Sequence, residues 1–541
     1  MQRIVKSLSF VLCLSGVLAL SSCRSVRQPR EVAQPINYSD EDIVQNEIER
    51  INGFMENEPI RALWRANLLG HEDVIENCFS KIEELYKKAL EDKNYLDAKK
   101  YYKSLKAVRP QWKPSETYEQ LDKLASAEVP GFSGVNKKAP AKISECMKAA
   151  VTIWVDRGVT VKNGSGYADV IIGSGFFIDE RGYIVTNHHV IDSMVNPKYE
   201  GYSRLYIKLP EDNLTKIPAK VIGYDSLLDL ALLKVEIEPE FVLNLGSSSD
   251  LEIGDKISAI GTPVGLEGTL TSGIISSFDR KLLALGNVFQ IDAAVNSGNS
   301  GGPLIDKNLK VQAIVYAGIL QLQGLNFAIP VEYLKQELPY LYGRGEIVHS
   351  WIGCFGNTKR EGSRKTGLEV QYVLSGGSAF LSGLSVGDVI TSLDGKAVSS
   401  LDDFNFMMMA LEAETIVECK YISAAGEDKS CLVYLDQRPE NPSVTVYQSD
   451  LITSSFVPLF GMKLIPSSTT NRKSYTIEKI IPGSSADDMS FSENDTVTIA
   501  DVTVNEKNKV IITTLSTKRK KKAFLDVVMS LGTSFDSPYY F

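Results

Sequence analysis

Asn296-Ser297-Gly298-Asn299-Ser300-Gly301-Gly302-Pro303-Leu304 places glycines two before, one after and two after Ser300. Residues without a Cβ let the backbone take positive φ and turn sharply. Such a turn aims successive N–H groups into one hollow, where they can hold a developing oxyanion. At its apex Ser300 is a candidate nucleophile. Without chemistry, the same stretch reads as a glycine-rich β-turn.

A serine hydroxyl needs a base, and near neutral pH that base is usually histidine. The sequence has four: His71, His188, His189 and His349. His71 falls in a helical region and His349 in a linker. His188 and His189 follow the strand-like run Ile184-Val185-Thr186-Asn187, and active-site groups often sit at such strand ends. The imidazole in turn needs a carboxylate to fix its tautomer. Asp229 stands inside the apolar run 227–235, where a charge is costly unless paired. Its alternative is a structural salt bridge. Asp225, in the more polar turn Gly223-Tyr224-Asp225-Ser226, is the local competitor. Around these segments short β-rich runs alternate with Gly and Asp turns, and helical spacing is nearly absent from about 143 to 330. That texture predicts an all-β barrel or sandwich.

Gly173-Ser174-Gly175-Phe176 with Thr186-Asn187-His188-His189-Val190, the run Asp229-Leu230-Ala231-Leu232-Leu233-Lys234-Val235, and Asp292-Ala293-Ala294-Val295-Asn296 followed by residues 298–304 together resemble the HtrA/Deg family of trypsin-like serine proteases. Ala259-Ile260-Gly261-Thr262-Pro263 and Asn326-Phe327-Ala328-Ile329-Pro330 fit two further strands. The resemblance covers about residues 143–340 and implies an all-β double barrel of two six-stranded halves with the site between them. It makes the histidine directly before Val the base, hence a catalytic set of His189, Asp229 and Ser300. It implies an oxyanion hole from the N–H groups of Gly298, Asn299 and Ser300, with Gly298 and Ser300 foremost. It sets Val295, Ile314 and Tyr316 at a substrate pocket for a small or medium apolar side chain. No cofactor and no metal are implied, and a homotrimer is.

The last third of the sequence repeats itself. Trp351-Ile352-Gly353-Cys354 returns as Leu459-Phe460-Gly461-Met462, and residues 373–379 and 384–390 return near 480–486 and 491–497. The offset is 107 or 108 each time, so two copies of one module follow. Both resemble the PDZ domains expected behind such a protease, with those two tetrapeptides as their carboxylate-binding loops. A PDZ domain takes a peptide C-terminus as an added strand. Asn494 stands where the first copy has Gly387, so the second copy is divergent. Tyr539-Tyr540-Phe541 reads as a packed or frayed end, with docking into one of the chain's own modules as the alternative.

The N-terminus begins with Arg3 and Lys6, runs through a short apolar stretch and reaches Leu20-Ser21-Ser22-Cys23. This is a signal peptide pattern, and the small residues before Cys23 resemble a bacterial lipobox, making Cys23 the lipidation site. Plain secretion with an incidental cysteine is the alternative. Acyl chains there would hold a membrane-anchored envelope or periplasmic lipoprotein.

The resulting organisation is a signal peptide at 1–22, a tether at 23–38, a helical, tetratricopeptide-like or generic spacer region at 39–128 and a linker at 129–142. The protease domain follows at 143–345, then PDZ-like α+β domains at 346–440 and 441–541. The formal net charge of −9 gives no global attraction to nucleic acid. The basic run 518–522 reads as a solvated hairpin tip. Cys419 and Cys431 flank a turn and are candidates for a disulfide or for two reduced thiols. The expected partners are unfolded envelope proteins as substrates and peptide C-termini at the PDZ-like modules. A silent chaperone-like scaffold, or a regulatory protease with a narrow substrate, is the alternative.

Overall fold

The alternating apolar runs from residue 150 onward pair into antiparallel sheets. The computed structural model describes residues 29, 31–36, 38, 40–132, 136–262, 268–296, 298–318, 325–467, 473–520 and 524–541. The leader, its apolar run and Cys23 lie outside the described residues, as do Pro263, Ser297, and Lys521 and Lys522 of the basic run.

Strands β1 (Ala150–Lys162), β2 (Ser165–Asp179), β3 (Tyr183–Thr186), β4 (Arg204–Leu209), β5 (Asp212–Pro218), β6 (Lys220–Asp225) and β7 (Leu230–Lys234) form one sheet in the order β5-β4-β1-β2-β3-β7-β6. Strands β8 (Lys256–Gly261), β9 (Thr269–Arg280), β10 (Val288–Ile291), β11 (Pro303–Ile305), β12 (Val311–Gly318) and β13 (Asn326–Pro330) close a barrel in the order β10-β13-β12-β11-β8-β9. The second half therefore has the six strands expected. The first half has seven and stays open among the described residues. The cause is local: a two-residue turn pairs Leu209 with Asp212, so β5 folds back as an outer strand on β4.

Apolar side chains that alternate along the strands fill each half, Val151, Ile153, Ile184 and Leu233 in the first and Ile275, Ile291, Leu304 and Val315 in the second. Helix α8 (Val331–Gly343) lays Leu334, Leu338 and Leu341, spaced one turn apart, into the larger core that spans both. Helices α6 (Ile143–Ala149) and α7 (His188–Val195) complete this region.

The helical region comprises α1 (Glu41–Phe54), α2 (Pro59–Leu69), α3 (Glu72–Glu91), α4 (Tyr95–Val108) and α5 (Tyr118–Ser126). It is not a free spacer. It packs on the first C-terminal module, whose sheet runs β15 (Cys354–Glu361), β16 (Arg364–Val373), β17 (Val389–Leu393), β19 (Ile416–Ile422), β20 (Asp428–Tyr434). The short β14 (Ser350–Trp351) pairs with β21 (Asp436–Gln437), and β18 (Lys396–Ala397) pairs with β17. Trp64 stacks on Tyr434 and donates its indole N–H to Leu432 O at 2.9 Å. Arg61 pairs with Asp436 at 2.6 Å and Lys100 with Glu414 at 2.8 Å. The same module carries α9 (Ser378–Leu381) and α10 (Leu401–Met409). Cys419 and Cys431 face each other in register across β19 and β20, and both thiols are free.

The opposite edge of that sheet, β15, is covered as well. Residues 539–541 lie antiparallel to it, so the sequence's closing aromatics are packed rather than frayed.

Residues 439–537 form a separate unit with residues 374–376. It contains α11 (Pro442–Ser449), α12 (Ile452–Phe460), α13 (Ser485–Asp488) and the sheet β22 (Met462–Pro466), β23 (Ser474–Ile480), β24 (Thr496–Asn505), β25 (Val510–Lys520), β26 (Phe524–Ser534). Strands β25 and β26 run in unbroken register up to the basic run.

Candidate active site

Strand β3 ends at Thr186, whose hydroxyl donates to Ser174 O at 2.7 Å. Buried Asn187 donates its amide to Asp229 O at 2.8 Å, and the chain then turns into α7. His188 and His189 leave this corner in different directions. His188 is largely buried and stacked on Tyr224, with ring centroids 5.2 Å apart. Burial pushes its pKa down, more than Asp229 and Asp192 push it up. His189 is half-exposed, with side-chain exposure of 48%.

Asp229 grips His189 at two points. Oδ1 accepts the His189 backbone N–H at 2.7 Å, and Oδ2 lies 2.6 Å from ring Nδ1. That grip places the proton on Nδ1 and leaves Nε2 a lone pair. Asp229 reaches this position because it adopts φ +56° in the turn between β6 and β7. Asp225 holds the turn from behind, its Oδ1 accepting from the N–H groups of Leu227 at 2.9 Å and Leu228 at 3.0 Å. The local competitor for the imidazole thus shapes the loop that presents Asp229.

The serine loop needs its glycines for space as well as for φ. Gly298 and Gly301 sit at φ +102° and +84°. A Cβ on Gly301 would fall 2.3 Å from Ser174 O and 2.4 Å from Thr186 Oγ1. Ser174 clasps the loop, its hydroxyl donating to Gly298 O at 2.6 Å and its N–H to Ser300 O at 2.8 Å. Among the three candidate amides, Asn299 donates to Asn296 O at 3.0 Å and is therefore committed. Among the described residues, those of Gly298 and Ser300 have no acceptor. The Ser300 hydroxyl donates to Tyr316 O at 3.2 Å. The Tyr316 ring meets the His189 ring edge-on with centroids 6.5 Å apart, so both side chains share one neighbour.

Of the three pocket residues, Tyr316 alone keeps appreciable exposure. Ile314 is fully buried in the main core, and Val295 is 9% exposed in the core of the barrel. Ile314 therefore presents no surface to a substrate.

A second polar cluster escaped the sequence reading. His349 is buried, not in an open linker, and its Nε2 lies 2.8 Å from Asp225 Oδ2. Glu337 of α8 joins them, with the three sets of ligand atoms within 4.8 Å of one another. The 2.8 Å contact is a hydrogen-bond distance, shorter than the roughly 3.4 Å between two ligands of one tetrahedral zinc. Glu337 is fully buried and its Oε1 has no hydrogen-bond partner among the described residues. Burial first, then Asp225 and Glu412, hold its pKa well above the carboxylate range.

An acid whose pKa rises on folding binds its proton more tightly in the native state. Its stabilising contribution is complete below the unfolded carboxylate pKa and is lost as pH rises through the folded value. Glu337→Gln is expected to remove that loss. Its Tm should gain on the wild type as pH rises from 5 to 8, by about 2–4 °C per kcal/mol recovered. A Tm difference independent of pH would disprove a protonated Glu337.

With this geometry in hand, the relatives are informative. A "Probable periplasmic serine endoprotease DegP-like" of Bartonella henselae is 33% identical over 356 residues, 63% of this chain and 67% of that protein. The chain belongs to the HtrA family of DegP-like serine endoproteases. A family member of the same description from a Marinomonas strain is 31% identical over 285 residues, 50% of this chain and 58% of its own length. The chain spans about half to two thirds of the length of the HtrA-family relatives it matches. A trypsin-like peptidase domain matches residues 173–314, a TP0546 family PDZ domain residues 443–535, and a domain of unknown function (DUF8517) residues 42–125. A solved structure titled "HtrA-type protease AlgW with decapeptide" is 24% identical, covers 55% of this chain and 98% of its own, and has a TM-score of 0.46.

Proposed function

We propose that this chain is a serine endopeptidase of unfolded or misfolded envelope proteins, working through His189, Asp229 and Ser300. The two-point hold of Asp229 on His189 carries the reading, because it leaves the outer imidazole nitrogen basic. For catalysis the Ser300 hydroxyl leaves Tyr316 O, on which it rests at 3.2 Å, and donates to that nitrogen. Ser300 then attacks the scissile carbonyl while His189 accepts its proton and passes it to the leaving amine. Asp229 stabilises the imidazolium, and the N–H groups of Gly298 and Ser300 hold the oxyanion. Water delivered through His189 frees the acyl-enzyme. Tyr316, with the largely buried Val295 behind it, borders a pocket for a small or medium apolar residue.

Both C-terminal modules bind peptides in this reading, the first as well as the one matched by a PDZ family model. The relatives' names support a periplasmic location. Acylation at Cys23 supplies the anchor, and among the described residues no helix is long and apolar enough to cross a membrane. A trimer is the assembly the family implies.

The test is a fluorophosphonate probe on the purified chain. Covalent label on the peptide containing Ser300, absent from Ser300→Ala, is expected. One observation favours a second reading as a silent, peptide-binding scaffold: the serine hydroxyl rests on a carbonyl rather than on its base. No label in the wild type, with peptide binding intact, would establish that reading instead.

A further inference from the structure

The first C-terminal module already holds an extended peptide. Phe541 N donates to Cys354 O at 2.9 Å, Cys354 N to Phe541 O at 2.8 Å, and Gly356 N to Tyr539 O at 3.1 Å. Phe355 and Tyr540 pair as an antiparallel bridge. These bonds satisfy the edge of β15 beside the loop Trp351-Ile352-Gly353-Cys354, which the resemblance to PDZ domains makes the carboxylate-binding loop. Gly353 takes φ +82° to enter that edge. In the second module, β22 pairs only with β23 among the described residues.

Side chains fasten the segment as well as main chain. The Phe541 ring is 1% exposed, inside the module's own core, edge-on to Phe404 of α10 at 5.0 Å. Tyr540 is equally buried and packs edge-on against Phe355 at 5.4 Å. The Arg438 guanidinium donates to Tyr540 O at 3.3 Å, and Asn405 of α10 donates to Pro538 O at 3.2 Å. Tyr539 packs near Phe355, and the Lys281 ammonium lies over its ring, 5.1 Å from the centroid. Lys281 also pairs with Asp402 of α10 at 3.2 Å. Strand, anchor ring and groove helix therefore form a complete peptide complex within one chain.

We infer that residues 538–541 are the resident ligand of the first module's peptide groove, which an incoming peptide ending in aromatic side chains must displace. This rests on the reading of that module as a peptide binder. A tethered occupant competes at an effective concentration set by its linkage, commonly millimolar. A free peptide of the same chemistry therefore binds the intact chain far more weakly than its affinity for an empty groove.

The test uses a fluorescein-labelled synthetic peptide of residues 536–541, titrated by anisotropy into the full chain and into a chain lacking 538–541. At least tenfold tighter binding to the shortened chain is expected, together with recovery of the shortened chain's Tm when unlabelled peptide is added in excess. Phe541→Leu keeps the strand but gives up the ring contact with Phe404. It is expected to tighten probe binding severalfold without loss of fold, which covers the case in which the deletion unfolds the module. Equal affinity for all three chains overturns the resident-ligand inference while leaving the module a peptide binder. No binding to any folded variant overturns the peptide-binding reading itself.

Discussion

Ser300→Ala is expected to lower kcat on casein by about 10⁴–10⁶-fold, the scale seen when a serine protease loses its nucleophile. His189→Ala should fall in the same range, and the double variant should be little worse, because nucleophile and base act as one unit. Stability should barely change. The Ser300 hydroxyl makes one partly buried hydrogen bond, to Tyr316 O at 3.2 Å, and such a bond is worth about 1 kcal/mol. The loop instead owes its shape to main-chain clasps through Ser174 and to the two glycines at positive φ, all of which survive the substitution. A collapse of rate at constant Tm therefore isolates chemistry from folding. If Ser300→Ala kept more than about one per cent of wild-type kcat, another nucleophile would have to be found.

The protease half was readable because its chemistry sits in local runs. Glycines around Ser300, a strand-like run just before His188 and His189 and an apolar run enclosing Asp229 each announce themselves within ten residues. The second PDZ-like copy was readable through the constant offset from the first. What escaped are contacts between residues far apart in sequence, which no local pattern encodes. Arg61 with Asp436, Trp64 with Leu432 and Lys100 with Glu414 turn the helical region into a cover for the β20 side of a sheet. His349 with Asp225 ties the approach to that sheet to the loop of Asp229. Asn299 N–H, a candidate on sequence alone, is excluded by a turn bond to Asn296 that depends on the loop's actual φ values.

These long-range contacts share a purpose at the first module. An exposed sheet edge is a row of unpaired N–H and C=O groups that invites pairing. Helices take the side of β20, and residues 539–541 take β15. The sheet is thereby closed on both sides, one closure built from ion pairs and large aromatic packing, the other from a few-residue strand. The second is the smaller of the two and the one suited to exchange.

Asp229→Asn separates the acid's orienting role from its space-filling one. The fold should tolerate it: asparagine adopts positive φ readily, and its Oδ1 can still accept the His189 backbone N–H now bound at 2.7 Å. The change falls on the other atom. Where Oδ2 accepts from Nδ1 at 2.6 Å, an amide NH₂ would donate, so the imidazole must present a lone pair at Nδ1 and carry its proton on Nε2. In that tautomer Nε2 cannot take a proton from the serine, and kcat should drop about 10⁴-fold near neutral pH. KM should move little, because Asp229 is 6% exposed and out of a substrate's reach. Asp225→Asn is the control. Its Oδ1 can keep both turn amides of Leu227 and Leu228, and kcat should stay within about tenfold of wild type. If Asp225→Asn were the crippling change and Asp229→Asn the mild one, the two carboxylates would have to exchange roles, since only the acid that fixes the imidazole tautomer can show the large effect.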